Sequence, residues 1–164
     1  PTNNISFSIN SSIERRPGLM QWVDVVDGSD GRFSDSDGSY DIVYAKTKRS
    51  QANTKLRMNI AFNSRMTFEA FYQPFNVDMN YEDYYRLDEQ NSFKTSSFNY
   101  SENKNFEINN QRGTFVYRWE YRPGSLLYVV YNLNDNNYYS DQDGEWSQSK
   151  SNSLFLKFDY FFQS

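Results

Sequence analysis

The chain has 164 residues, a length that suits one domain. It contains no Cys and no His, which excludes disulfides, thiol chemistry, His-based triads and the usual zinc sites within this polypeptide. A net charge of −4 excludes the basic surface that nonspecific nucleic-acid binding needs, so no nucleic-acid partner is expected.

Eight strands are predicted. Ile5, Phe7 and Ile9 alternate with Ser6, Ser8 and Asn10 and make the first. Arg15–Leu19 (RRPGL) reads as a turn, Gln21–Val26 as a second strand, and Gly28–Ser39 as a polar loop without period. Tyr40–Lys46 is the third strand and Thr47–Gln51 a turn. The next two strands form a hairpin. Leu56, Met58, Ile60 and Phe62 share a face, as do Met66, Phe68, Ala70 and Tyr72. Keeping both sets on one side pairs Phe62 with Met66, Ile60 with Phe68, Met58 with Ala70 and Leu56 with Tyr72, because a one-residue slip would flip every side chain. Asn63, Ser64 and Arg65 are left as a three-residue loop. Lys55, Arg57, Asn59, Thr67, Glu69 and Gln73 then lie on the face that wants water.

Asn76–Arg112 is polar, rich in Tyr, and reads as a long loop. Phe115, Tyr117, Trp119 and Tyr121 make one face of the sixth strand; Val116, Arg118 and Glu120 make the other. Arg122–Ser125 is a tight turn built on Pro and Gly. Leu126–Tyr131 is the seventh strand, apolar on both faces, and Asn132–Ser151 a second long polar loop. Ser153–Gln163 closes the chain. Leu154, Leu156, Phe158, Tyr160 and Phe162 take one face; Phe155, Lys157, Asp159 and Phe161 take the other. No helical stripe with caps and no internal repeat is found.

Aromatic residues make up 19% of the chain, yet mean hydropathy is only −0.89. A sheet with lipid on one face needs only alternate residues to be apolar, which reconciles the two values. The predicted fold is therefore all-β, a transmembrane antiparallel β-barrel, with about eight strands here as the C-terminal part of a larger outer-membrane barrel. The lipid-facing set is Leu56, Met58, Ile60, Phe62, Met66, Phe68, Tyr72, Phe115, Tyr117, Trp119, Tyr121, Leu154, Leu156, Phe158, Tyr160 and Phe162. Short and long connections alternate, which places Asn63–Arg65 and Pro123–Gly124 in the periplasm and the loops at about 76–112 and 132–151 outside the cell. By parity Gly28–Ser39 falls in the periplasm, where it is long. The chain opens PTNNISFSIN, without the basic start and apolar core of a signal peptide, and is expected to be a mature chain or a fragment.

Arg118–Tyr131 (RWEYRPGSLLYVVY), with Leu56–Phe75 upstream and Ser153–Phe162 at the end, resembles the C-terminal barrel domain, of unknown function, of Bacteroidetes-type outer-membrane proteins. Those proteins carry an exported N-terminal domain similar to family 9 carbohydrate-binding modules. The resemblance covers Tyr40–Ser164 well and the first forty residues loosely. It implies location in the bacterial outer membrane and a longer parent protein with a link to carbohydrate handling. It brings no catalytic residues.

Among the residues that could carry chemistry, Arg57, Glu69, Arg118, Glu120, Lys157 and Asp159 would face the lumen, where charges tune selectivity or simply meet water. Glu69 and Glu120 would need about 5–10 Å between them to act as a glycosidase pair. Asp27, Asp30, Asp35 and Asp37 sit on a glycine-rich stretch of the kind calcium uses, without the EF-hand spacing. Tyr81, Tyr84, Tyr85, Phe93, Phe98, Tyr100 and Phe106 could stack on sugar rings or pack a loop against the barrel mouth. No GxSxG string is present. The expected protein is a non-enzymatic membrane anchor, pore-type barrel or assembly component, without cofactor. Its expected partners are outer-membrane lipid, the remaining N-terminal part of the same protein and other outer-membrane proteins. The alternative is a soluble secreted β-sandwich that binds carbohydrate.

Overall fold

The computed structural model describes residues 4–28 and 30–162. These residues form one antiparallel sheet of nine strands and contain no helix. The strands are β1 (Ile5–Asp27), β2 (Phe33–Asp35), β3 (Gly38–Asn63), β4 (Met66–Leu87), β5 (Thr95–Ser97), β6 (Phe106–Arg122), β7 (Ser125–Ser140), β8 (Glu145–Lys150) and β9 (Ser153–Asp159). The order across the sheet is β1-β3-β4-β6-β7-β8. β9 continues along β7 where β8 leaves off: β8 pairs with Asp135–Ser140 and β9 with Leu126–Asn132. The short β2 and β5 extend β3 and β4. The sheet does not close on itself, so β1 and the β8–β9 strand are its two edges.

Six strand positions replace the predicted eight because two predicted turns are strand. At Arg15–Leu19 the chain runs straight on, and Pro17–Leu19 holds only a bulge, with Gly18 at φ +79°. A bulge absorbs a positive-φ glycine, and an edge strand tolerates a proline that cannot donate to the ladder. Thr47–Gln51 likewise lies inside β3, paired on both sides, to β1 and β4. Polar composition marked these stretches as turns, but strand pairing, on one flank for Arg15–Leu19 and on both for Thr47–Gln51, satisfies backbone amides equally well.

The two long loops shrink for the same reason. Much of 76–112 is strand, since β4 runs to Leu87 and β6 starts at Phe106; within 132–151, only Asp141–Gly144 connects β7 to β8. The misfit at Gly28–Ser39 disappears with the merged strands. Residues 30–37, 88–105 and 141–144 all lie at one end of the sheet, and the two-residue turns Ser64–Arg65 and Pro123–Gly124 lie at the other. In the last strand, pairing ends at Asp159, so Tyr160 and Phe162 lie beyond it, and Gln163 falls outside the described residues.

The hairpin register is that expected at Ile60–Phe68, Met58–Ala70 and Leu56–Tyr72. It departs at the turn, where Met66 pairs with Asn63 and Phe62 is bulged out of the ladder. The Asn63 side-chain oxygen accepts the Arg65 amide at 2.8 Å, which ties the turn one residue tighter than the predicted loop.

Candidate functional site

Register carries the alternation across the whole sheet. Directly opposed residues of an antiparallel pair point to the same face. One row of partners reads Ile5, Ile60, Phe68, Tyr117, Val129, Leu156. The next reads Phe7, Met58, Ala70, Phe115, Tyr131, Leu154, and a third Ile9, Leu56, Tyr72, Gly113, Leu133. Toward the two-residue turns a fourth reads Met66, Trp119, Leu127, Phe158. Every strand position thus contributes apolar groups to one continuous face, and no second layer of the described residues covers it. Ile5, Phe7 and Ile9 each keep 61% exposure, and Leu154, Leu156 and Phe158 as much.

The opposite face of the same region is polar. Lys55, Arg57, Asn59 and Glu69 are exposed there. All six expected lumen-facing charges fall on this face by strand alternation. They are spread along it and do not meet in one cluster. The Arg57 guanidinium lies 5.5 Å from the Phe71 ring centroid, and Lys157 pairs with Asp159 at 3.0 Å. A Glu120 carboxylate oxygen accepts the Gly124 amide at 2.8 Å, so this residue braces the Pro123–Gly124 turn. Glu69 lies opposite Val116, four residues from Glu120 on β6, which sets the two carboxylates about 13 Å apart along the strand. That exceeds the spacing a glycosidase pair needs.

Above the third row the hydrophobic phase inverts. On β4, Phe75, Val77, Met79 and Tyr81 now take the formerly polar face, and Asn76, Asp78, Asn80 and Glu82 the formerly apolar one, with no register shift between Asn53/Phe75 and Lys46/Glu82. On β3, Asp41, Val43, Ala45 and Thr47 are buried on that same face. The buried apolar side chains among the described residues are Phe33, Val43, Ala45 and Val77, all in this half. Aromatic contacts fill it: Phe106 lies 5.7 Å from Tyr138, and Tyr84 4.9 Å from Tyr100.

Residues 98–105 fold over this upper half. The Tyr100 hydroxyl donates to the Asp24 carboxylate at 2.6 Å, 76 positions away in the chain. Lys104 reaches the same carboxylate at 3.3 Å. The hydrogen bond from Tyr100 holds the Asp24 carboxyl below its ordinary pKa of 3.8. Burial, and then the bond to Asp24, push the Tyr100 phenol above its ordinary 10.0. Lys104 is also raised, first by Glu102. Beside this cluster, Arg86 pairs with buried Asp41 at 3.3 Å, and the Arg32 amide donates to the same Asp41 carboxylate at 3.0 Å. On the outer side of β1, β3 and β4, Met20, Tyr44, Lys46, Tyr85 and Phe93 surround a groove of about 420 Å³.

The calcium candidates do not assemble. Among the described residues no three Asp or Glu side chains come together as a metal would need. Asp35 spends its carboxylate on the Asp37 and Gly38 amides, closing the β2–β3 turn. Of the expected loop aromatics, Tyr81, Tyr84 and Tyr85 are on β4 and Phe106 on β6. Phe98 and Tyr100 pack against the sheet, while Phe93 is fully exposed.

A family described as a domain of unknown function (DUF5916) matches residues 2–163. The chain belongs to this family. No curated protein and no solved structure matches it. In this DUF5916 domain the residue that sequence reasoning missed is Asp24, which no local motif distinguishes. The upper-half alternation of Phe75, Val77, Met79 and Tyr81 was a visible signal, hidden because its phase opposes that of Phe68 and Tyr72.

Proposed function

We propose that this chain is a segment of an integral outer-membrane β-barrel that anchors its parent protein and contributes one wall of a polar lumen. The observation that carries the reading is the set of four apolar register rows on one face, backed by charges on the other. Only four apolar side chains of the described residues are buried, so packing within the chain leaves that face uncovered. Hydrocarbon would cover it. From the fourth row to the third the face extends about 20 Å along the strands, close to the roughly 25 Å apolar band of outer-membrane barrels. Two-residue turns at one end and longer connections at the other match the periplasmic and outer sides of such barrels.

The edges support a larger parent. β1 offers a flank of unpaired amides and carbonyls along most of its length, and the β8–β9 strand another, which further strands of the same protein would pair. The resemblance to Bacteroidetes-type outer-membrane proteins supplies the rest of the proposal: an exported N-terminal domain similar to family 9 carbohydrate-binding modules, a link to carbohydrate handling, and work within an assembly of outer-membrane proteins. A soluble carbohydrate-binding sandwich would need a second sheet over the apolar face, and the described residues make only one.

Extraction decides between them. The native full-length protein is expected to partition into detergent and to migrate differently on gels with and without heating. Purification as a soluble monomer without detergent would reject the barrel.

A further inference from the structure

We infer that residues 98–105 form a strap that closes this side of the proposed lumen at its loop end, so that a solute path along the polar face stops beneath it. The inference rests on the barrel reading for the existence of a lumen, and on the geometry of the strap for its closure.

β4 and β6 are neighbours, and their pairing reaches Met79–Phe106. A hairpin of a few residues would join them there. Instead β4 continues to Leu87, still paired to β3 as far as Arg86, pairs on its other edge with β5, and the chain then passes over the upper sheet before entering β6. Its outer anchors lie on β1 and in the β7–β8 turn, beyond the β4 and β6 that it joins. At one end Tyr100 and Lys104 hold Asp24 of β1. In the middle the Phe98 amide donates to the Tyr84 carbonyl at 2.9 Å, and the Asn105 side chain accepts the Tyr81 amide at 2.7 Å. At the other end the Asp141 carboxylate, in the β7–β8 turn, accepts from the Asn103 and Asn105 side chains at 2.8 and 3.2 Å. From β1 to β7 the segment bridges five adjacent strand positions, a chord of about 19 Å at ordinary strand spacing.

The crossing is on the polar, inward face. Val43 pairs with Asp24 and Ala45 with Tyr84, so these four share a face with Val77, and Val43, Ala45 and Val77 are buried there. Below the strap that face is open: Arg57, Asn59 and Glu69 are exposed. The inner surface therefore passes from a wetted wall to a packed one within a single strand length. A loop that only decorated the rim would leave Val43 and Ala45 in water.

The test uses the full-length protein in planar bilayers, with amide hydrogen exchange of the same preparation in detergent micelles. The triple variant Asp24→Asn, Tyr100→Phe, Lys104→Gln removes the β1 anchor, and Tyr100→Phe alone keeps the ring stack on Tyr84. Heat-modifiable migration reports whether each variant is folded and inserted. The expected result is slow exchange of the 98–105 amides in the wild type and exchange at least tenfold faster in the triple variant. Conductance should rise severalfold in the triple variant and less in the single one. Freely exchanging 98–105 amides in the wild type, or faster exchange with unchanged conductance in an inserted variant, would overturn the strap as a barrier and leave the membrane reading standing. A wild type that neither inserts nor shows heat-modifiable migration would remove the membrane reading, and the lumen closure with it.

Discussion

Asp24 and Tyr100 show how much one hydrogen bond can organise. The carboxylate has its pKa lowered and the phenol has its pKa raised, each first by a cause the strap supplies: the Tyr100 bond for Asp24, burial for Tyr100. A depressed carboxyl contributes stability above the unfolded value of 3.8 and loses it as pH falls through the folded one. A raised phenol contributes below its unfolded 10.0 and loses it as pH rises through the folded value. Strap docking is thus expected to hold across neutral pH and to weaken below about pH 4 and above about pH 10, with proteolysis of the 88–105 segment against pH as the measurement. Asp24→Asn should abolish the acid limb and cost about 1 kcal/mol of docking at pH 7, since both groups are only half-buried. At the other end of the sheet Gly124 has φ +79°, and a Cβ there would sit 3.0 Å from the Phe161 side chain. Gly124→Ala strains the backbone and displaces the residues after β9, whose Phe161 amide donates to buried Ser125. A loss of about 1–3 kcal/mol is expected, read as a lower midpoint in urea unfolding.

Strands of 22 to 26 residues in β1, β3 and β4 are more than twice what a bilayer crossing needs. On β4 the lower half has its apolar groups on one face and the stretch from Phe75 to Tyr81 has them on the other. Adjacent positions should therefore respond oppositely. Phe68→Arg puts a charge on the apolar face and is expected to cost about 2–4 kcal/mol, falling with distance from the bilayer midplane. Glu69→Arg, one residue along, meets the polar face and should change folding little. Refolding yield into vesicles, followed by heat-modifiable migration, separates the two. The same alternation explains what the sequence disclosed. The hairpin register at Ile60–Phe68 was readable, and so was the separation of Arg57 and Glu69 from the apolar face, because each depends only on period two. The strand breaks expected at Arg15–Leu19 and Thr47–Gln51 were wrong because polar residues and a Pro-Gly pair resemble a turn locally, while pairing to β3 or β4 is a long-range fact. The Phe62 bulge depends on one side chain, Asn63, folding onto its own turn. Of the candidate site, the polar face was legible and the strap was not, because the Asp24–Tyr100 contact joins residues with no sequence relation.

For the whole molecule, the end-to-end asymmetry gives a direct test of orientation. The chain has no Cys, so single introduced thiols report cleanly. On intact cells Asp143→Cys, in the β7–β8 turn, is expected to react with a membrane-impermeant maleimide, and Ser64→Cys, in the β3–β4 turn, only after the outer membrane is opened. The reverse pattern would invert the proposed barrel. In the proposed barrel the mid-strand phase change of β4 would also constrain position along the bilayer normal. Its boundary, the row from Ile9 through Leu56, Tyr72 and Gly113 to Leu133, works like the waterline painted on a hull. Sinking such a sheet by one row would drag Thr54, Gln111 and Asp135 into oil and push Phe158 and Trp119 among headgroups, and raising it would lift Ile9, Leu56 and Tyr72 out of the oil. In the proposed barrel the chain would carry its own depth gauge, marked where the phase of β4 changes.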